Sequence, residues 1–565
     1  MASDSAQSFY TGKVVVDPVT RIEGHLKVEV EVENGRVKEA RSAATLFRGL
    51  EIILKGRDPR DAQHFTQRVC GVCTYVHALA STRALESAAG ALVPKNATLL
   101  RNLVLAAHFL HDHIVHFYTL HSLDFVDLGA ALKADPARAA SLAATLSPRP
   151  SPARELKEVQ DKFKALAGAN QPGPFANAYS LGGHPAYRLS PELNLVVAAH
   201  YLEALRVQVK VARAMAAFGA KNPHPQFTIA GGVSCYEAMT PPRLREFLEN
   251  IRAGADFIKN AYLPDLLAIA AEYKDWTGYG GSANFMALGS FPQPGADSLL
   301  DENDLARGWF KPGLILGRKL DKIEDFDPAN IREHVRHSWY KGGTARAPFE
   351  GETVPAFTRP DDADRYSWSK APRYDGKTME TGPLAQMLVS YAQGHPQVTP
   401  ALDRLMAALS LDRRALNSTL GRTAARAVQA SLIAAQIPVW LGELDVNVRR
   451  GDTVINVPFE VPDEGEGVGF VGAPRGGLSH WLRIEGGEIA NFQLVVPSTW
   501  NFGPRCAANI PGPLEQALAG TPIADPARPV ELLRTIHSFD PCLACAVHVI
   551  DPVSNEERVF RAFHA

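Results

Sequence analysis

The chain has 565 residues, 46% hydrophobic and 21% charged, with 59 Lys and Arg against 61 Asp and Glu for a formal charge of −2. These are ordinary globular values, and the near-neutral balance argues against nucleic acid as the main partner, because phosphate binding needs a basic excess. No run of 18 apolar residues appears, so no membrane span is expected, and residues 1–13 lack the apolar core of a signal peptide.

Residues 14–16 and 26–32 read as strands. The second alternates as Leu-Lys-Val-Glu-Val-Glu-Val, apolar on one face and charged on the other. Asn34-Gly35 follows and Arg36-Val37 resumes the pattern, a hairpin signal. From about residue 61 the pattern becomes helical. Residues 78–89 are rich in Ala, Leu and Glu, which favour helix. Residues 96–123 and 193–218 carry apolar side chains at three- and four-residue spacing, and residues 241–273, 383–409 and 411–437 also read as largely helical. Residues 285–377 are dense in Pro, Gly, Asp and aromatics, which predicts loops and small strands beside a helical core. Residues 479–496 predict a second hairpin around Gly486-Gly487. The expected fold is α+β: a long-helix core with β-rich segments near both termini. No internal repeat and no linker divides it.

Six cysteines are too few for a disulfide scaffold. Cys235 and Cys506 are isolated and read as small buried hydrophobes. Cys70 and Cys73 form one C-x-x-C, Cys542 and Cys545 another. The first pair stands just ahead of a predicted helix, whose positive end favours thiolate. Two pairs could supply four thiolates to one metal. Because they lie at opposite ends of the chain, such a site belongs to the whole fold, where the two ends meet. Thiolates select zinc, copper(I), Fe–S or nickel-type centres. The spacing leaves a structural zinc, a catalytic soft metal and redox disulfides all open. His108, His111, His113, His116 and His121 crowd one predicted helix. They share a face only loosely, so they read as a helix flanking a site, with Asp112 its functional member, and not as a ligand set.

Four motifs carry a resemblance. They are Arg21-Ile22-Glu23-Gly24-His25; Arg68-Val69-Cys70-Gly71-Val72-Cys73 with His77; Ala473-Pro474-Arg475-Gly476-Gly477; and Asp540-Pro541-Cys542-Leu543-Ala544-Cys545-Ala546-Val547-His548. From about residue 14 to the end, in this order, the chain closely resembles the large subunit of nickel–iron hydrogenases, most of all the uptake, periplasm-facing branch. The related quinone-binding subunit of respiratory complex I shares the fold but lacks these cysteines.

The resemblance implies reversible oxidation of H₂ to protons and electrons. Cys70 and Cys542 would be terminal nickel ligands. Cys73 and Cys545 would bridge nickel to an iron carrying cyanide and carbon monoxide. Glu23 would be a proton gate beside a terminal cysteine. Arg475 would face the open metal position with Asp112 orienting it, Ser498 would donate to a cyanide, and His77 would hydrogen-bond a bridging sulfur. Glu51, the Leu494 carbonyl and His548 would bind a second metal, magnesium in the family, with iron kept open by the histidine. The resemblance also implies a small partner subunit carrying Fe–S clusters, since this chain has no cysteines to spare. It implies periplasmic export with that subunit, with membrane association as an option. A maturation endopeptidase would cut after His548, which divides the chain into one interlinked domain, residues 1–548, and a removable extension, 549–565. The alternative from another class is a non-catalytic electron-transfer or scaffold subunit with a structural tetrathiolate zinc.

Overall fold

Alternation at the N-terminal end produces the expected strands. Gly12–Val16, Leu26–Glu33 and Arg36–Ala44 form an antiparallel sheet in that order. Val28, Val30 and Val32 turn inward, and the chain reverses at Asn34-Gly35. The computed structural model describes residues 9–169, 175 and 183–546. The fold is mixed, 47% helical and 18% strand.

A second antiparallel sheet near the C-terminal end comprises Glu464–Ala473, Gly476–Glu485 and Glu488–Val495. Its last two strands are the expected hairpin. Its first strand was not expected, because glycine at every second position reads as a breaker. The reason for the glycines is close approach. This strand lies on the helix Val76–Ala89, and a Cβ at Gly469 would stand 1.9 Å from the Ala80 carbonyl oxygen.

The helical core is built on Lys95–Val115, Pro191–Gly219, Pro241–Phe257 and Thr419–Arg449. Several expected boundaries move. The helix expected over 383–409 is two, Pro383–Ala392 and Val398–Leu409, separated by Gly394 with positive φ and Pro396. The helix expected over 411–437 starts at Thr419, where the Ser418 hydroxyl accepts from the Gly421 N–H at 2.9 Å, and runs on past Pro438 to Arg449. The α-helix expected to reach residue 123 ends at Val115 and continues as a π-helical turn, His116–His121. The widened turn re-aims its histidines.

Thr419–Arg449 is long and apolar enough to cross a membrane, with a mean hydropathy of 1.2 over its most apolar window. Its place is in the core: Arg422, buried, pairs with Glu380 at 2.7 Å, and Arg426 is buried beside it. The stretch expected to be loops and small strands holds one substantial pair, Phe285–Pro292 against Gly308–Ile315. The largest hydrophobic cluster runs from Val14 to Cys545 and includes all four paired cysteines.

The two ends meet directly. Glu23 and Cys542 form a parallel β-bridge. The Glu23 N–H donates to the Pro541 carbonyl at 3.2 Å, and the Leu543 N–H donates to the Glu23 carbonyl at 2.7 Å. Gly24 permits this contact. Its φ is +82°, and a Cβ there would lie 2.2 Å from the Ala544 nitrogen.

Candidate metal centre

Residues 70–73 form an irregular loop between the helices Ala62–Gln67 and Val76–Ala89. The helix begins after Tyr75, so the thiols do not sit on its N-terminus as the sequence suggested. The loop's own amides reach one sulfur: the N–H groups of Val72 and Cys73 donate to Cys70 Sγ at 3.2 and 2.9 Å. Across from them, Cys542 Sγ lies 3.3 Å from Cys70, 3.5 Å from Cys73 and 2.9 Å from Cys545, and Cys545 lies 3.6 Å from Cys73. All four are free thiols and buried. A disulfide needs sulfurs about 2.05 Å apart, whereas four thiolates around one metal with bonds of about 2.3 Å stand roughly 3.8 Å apart. The cluster has the compactness and the soft donor set of a metal site.

The electrostatics are asymmetric. Burial opposes charge on Cys70, but hydrogen bonds from the other three sulfurs and the nearby Arg475 outweigh it and hold its thiol well below the usual range. Hydrogen bonds from Cys542 and Cys545 lower Cys73 as well. Burial pushes Cys542 and Cys545 up.

Arg475 is clamped over this cluster. Its Nη1 donates to Cys73 Sγ at 3.2 Å and to Asp112 Oδ2 at 2.8 Å, and its Nη2 lies 3.1 Å from Asp540 Oδ1. Burial raises the Asp112 carboxyl, but His108 and Arg475 override it and hold Asp112 well below its ordinary value. The Ser498 hydroxyl accepts from the Cys542 N–H at 3.1 Å. Arg48 donates to the carbonyls of Val69 and Ala544, one from each cysteine segment, the latter at 2.9 Å. His77 Nδ1 meets His480 Nε2 at 3.1 Å, and Ser81 Oγ meets His480 Nδ1 at 2.9 Å. Burial brings His77 down to about 4, so its ring is neutral at physiological pH. Glu23 is half-buried. Burial and the charge of Cys73 raise its carboxyl above the ordinary value, with Arg475 and Arg48 pulling the other way.

Glu51 is buried in a second polar cluster. Lys370 Nζ lies 2.9 Å from its Oε2, Thr353 donates to it, and the Leu494 N–H donates to Oε1 at 3.0 Å. The Leu494 N–H thus places its strand directly against Glu51. His548 lies outside the described residues, as does the extension 549–565. Lys370 also contacts Glu333 Oε2 at 3.2 Å and Gln493 Oε1 at 2.5 Å. Glu51, Glu333, Thr353 and Gln493 offer hard oxygen donors of the kind magnesium takes, with the Lys370 ammonium among them.

The histidine-rich helix divides as its periodicity implied. His108 and His111 contact Asp112, His113 meets Gln429 Oε1 at 3.0 Å, and His116 meets the His537 carbonyl at 2.6 Å. His121 instead joins Asp124 and His537 in a buried cluster that the sequence did not reveal. Asp540, Arg48, His480, Lys370 and Gly24 were likewise not assigned roles. Asp540 and Gly24 stood inside the quoted motifs. Gly24 meets Ala544, 520 residues on, and Asp540 meets Arg475, 65 residues back, so no local pattern marks them.

Residues 48–548 match the nickel-dependent hydrogenase family, and residues 13–47 match a family described as HoxL-like. The chain is 43% identical to the Hydrogenase-2 large chain of Escherichia coli (strain K12), covering 96% of this chain and 98% of that one. It is 42% identical to the quinone-reactive Ni/Fe-hydrogenase large chain of Wolinella succinogenes, covering 98% of each. It is also 42% identical to the uptake hydrogenase large subunit of Rhizobium leguminosarum bv. viciae, covering 96% of each. Among solved structures, the Ni-Fe-Se hydrogenase from D. vulgaris Hildenborough superposes with a TM-score of 0.78 at 36% identity, covering 95% of this chain and 100% of that one. These likenesses set aside the structural-zinc alternative. With Cys70, Cys73, Cys542 and Cys545 gathered as its nickel site, the chain belongs to the nickel-dependent hydrogenases as their large, catalytic subunit.

Proposed function

We propose that the four thiolates would hold a nickel–iron pair, Cys70 and Cys542 serving as ligands to nickel and Cys73 and Cys545 as ligands to nickel and to an iron that would carry cyanide and carbon monoxide. The observation that carries this reading is the buried four-sulfur cluster clamped by Arg475. When bound, this centre supplies the position at which H₂ is split and from which electrons leave. The chain's own residues do the rest.

Arg475 holds positive charge beside Cys73, and two carboxylates, Asp112 and Asp540, keep its fork from swinging away. Glu23 takes the departing proton. Its carboxyl is raised by burial and by Cys73, and a relay works best when its pKa lies toward the working pH. Its backbone is tied to Cys542 on both sides. Ser498 accepts from Cys542, which leaves its own O–H to donate to a cyanide. His77, neutral and paired with His480, supports the bridging-sulfur side. Glu51, with the Leu494 carbonyl and His548, binds magnesium, or iron, at the second site.

Electrons leave through a small subunit carrying Fe–S clusters. Four of the six cysteines belong to the centre, and the remaining two, Cys235 and Cys506, are too few for a four-cysteine Fe–S cluster. Relatives named as uptake and quinone-reactive hydrogenases support a periplasmic, membrane-associated setting. The test is elemental analysis with infrared spectroscopy on the purified two-subunit complex. Nickel and iron in the large subunit, with bands of metal-bound carbon monoxide and cyanide, are expected; zinc alone, or nickel without iron, overturns the assignment.

A further inference from the structure

We propose that Arg21, Asp124 and His537 are positioning residues that hold Glu23 against Cys542. The proposal rests on the reading of Glu23 as the proton acceptor.

Asp124 is fully buried, and four groups converge on it. Arg21 Nη2 lies 2.5 Å from its Oδ1. His537 Nδ1 and His121 Nδ1 lie 2.7 and 3.0 Å from its Oδ2, and Arg534 Nε donates to its carbonyl at 2.8 Å. His537 Nε2 in turn lies 2.9 Å from the Thr20 carbonyl. The two ring nitrogens of His537 therefore tie two separate segments together, one at the Asp124 carboxylate and one at the Thr20 carbonyl. His121, Asp124 and His537 stand close enough to surround a metal ion. Arg21 already neutralises Asp124, and both histidines already bond it, so the cluster is a closed ionic network.

Its place in the chain gives it a task. Arg21 has φ +56° and Asp540 has φ +60°, a left-handed conformation that costs a non-glycine residue and persists only where the surroundings enforce it. Arg21 is two residues before Glu23, and Asp540 is two before Cys542. The two strained turns thus flank the bridge that brings the carboxyl to the sulfur. The network grips both approaches. It holds the first through the Arg21 side chain, which also donates to the Leu120 carbonyl, and through the Thr20 carbonyl. It holds the second through His537, whose own carbonyl accepts from His116. Asp124 is the common anchor, carried on the segment that follows the π-helical turn.

The test compares Asp124→Asn and His537→Gln with Glu23→Gln in the assembled, metal-loaded complex. Nickel per chain, exchange of H₂ with D₂O solvent and the pH profile of that exchange are measured. Loss of positioning is expected to leave nickel within about twofold of wild type, cut exchange per nickel by about tenfold or more and displace the pH profile, as removal of a proton relay does. Should Asp124→Asn fail to assemble, His537→Gln, which loses one side chain's contacts, carries the same expectation. Exchange per nickel and a pH profile unchanged from wild type, with only nickel content or yield reduced, would make the network purely structural and overturn the proposal. Loss of an additional metal ion from Asp124→Asn would make it a ligand and overturn it equally. Wild-type exchange in Glu23→Gln would instead defeat the reading of Glu23 itself, whatever Asp124→Asn does.

Discussion

Each sulfur of the cluster is a soft donor that an oxygen cannot replace. Changing any of Cys70, Cys73, Cys542 or Cys545 to Ser is expected to abolish activity and lower nickel per chain, because an alkoxide is a poor ligand for a soft metal. Full activity in any one of the four variants would defeat the four-thiolate site. Gly24 contributes no donor, yet it is held as tightly. Alanine there would meet the Ala544 nitrogen at 2.2 Å and occupy a left-handed backbone. Gly24→Ala should push residues 543–544 aside and reduce nickel loading several-fold while the helical core still folds. Circular dichroism beside elemental analysis reads this, and wild-type nickel content would show that the bridge can shift without harm. At this scale the four cysteines were legible, since each pair sits in a short motif with its own chemistry. Asp540 and Arg48 were not, since each is defined by a group outside its own motif, Arg475 for one and the Ala544 carbonyl for the other.

Among the elements, a buried ionic joint couples the two helices that follow the first cysteine pair. Arg83 and Glu86 come from Val76–Ala89 and Arg101 from Lys95–Val115, and Glu302 bridges the two arginines at 2.8 and 2.9 Å. Burial works against the Glu302 charge, but Arg101 and Arg83 override it and bring its carboxyl from 4.5 down to about 2. A carboxyl depressed in the fold stabilises above its unfolded pKa, and that contribution is lost as pH falls through the folded value. Its share of stability should therefore be complete above about pH 4.5 and fade toward pH 2. Glu302→Gln should cost about 3–5 kcal/mol near neutrality, because it leaves a buried arginine without its counter-charge. Its melting temperature should also depend less on pH between those limits. A variant as stable as wild type at pH 7 would show that Glu86 alone satisfies both arginines.

At the scale of the molecule, the centre closes only when the last described residues tuck against the N-terminal loop. Cys542 and Cys545 are buried there, and the extension beyond His548 carries Glu556, Glu557, Arg558 and Arg561. Drawing those charges into a dry interior would cost several kcal/mol for each one left unpaired. An attached extension is expected to hold this end open for metal insertion, and its removal to let the end close. Intact-mass measurement of the active complex should find a large subunit ending at His548. A fully active, nickel-loaded chain still ending at Ala565 would refute the maturation reading.

By itself the sequence determined the kind of chemistry and most of the elements. Two C-x-x-C pairs offer four thiolates to a soft metal without choosing between a metal and a disulfide, and alternation or three-to-four spacing specifies strand or helix because one face must leave water. Tertiary structure alone decided the rest. The glycine-laced strand Glu464–Ala473 is a strand only because the backbone of Val76–Ala89 leaves no room for side chains. Against its burial, the Cys70 thiol is held low by the other three sulfurs and by Arg475, brought together from distant segments, and not by a helix end. Arg475 is a clamp because Asp112 and Asp540, 428 residues apart in the chain, reach it from opposite sides. The Arg21–Asp124–His537 network exists only once three distant segments pack together. Local pattern encodes what a residue can do and which way its element faces. The counter-charges that close the centre, Arg475 to Asp112 and Asp540 and Arg21 to Asp124, meet only across the fold, so these partnerships are written in the packing and not in the neighbouring sequence.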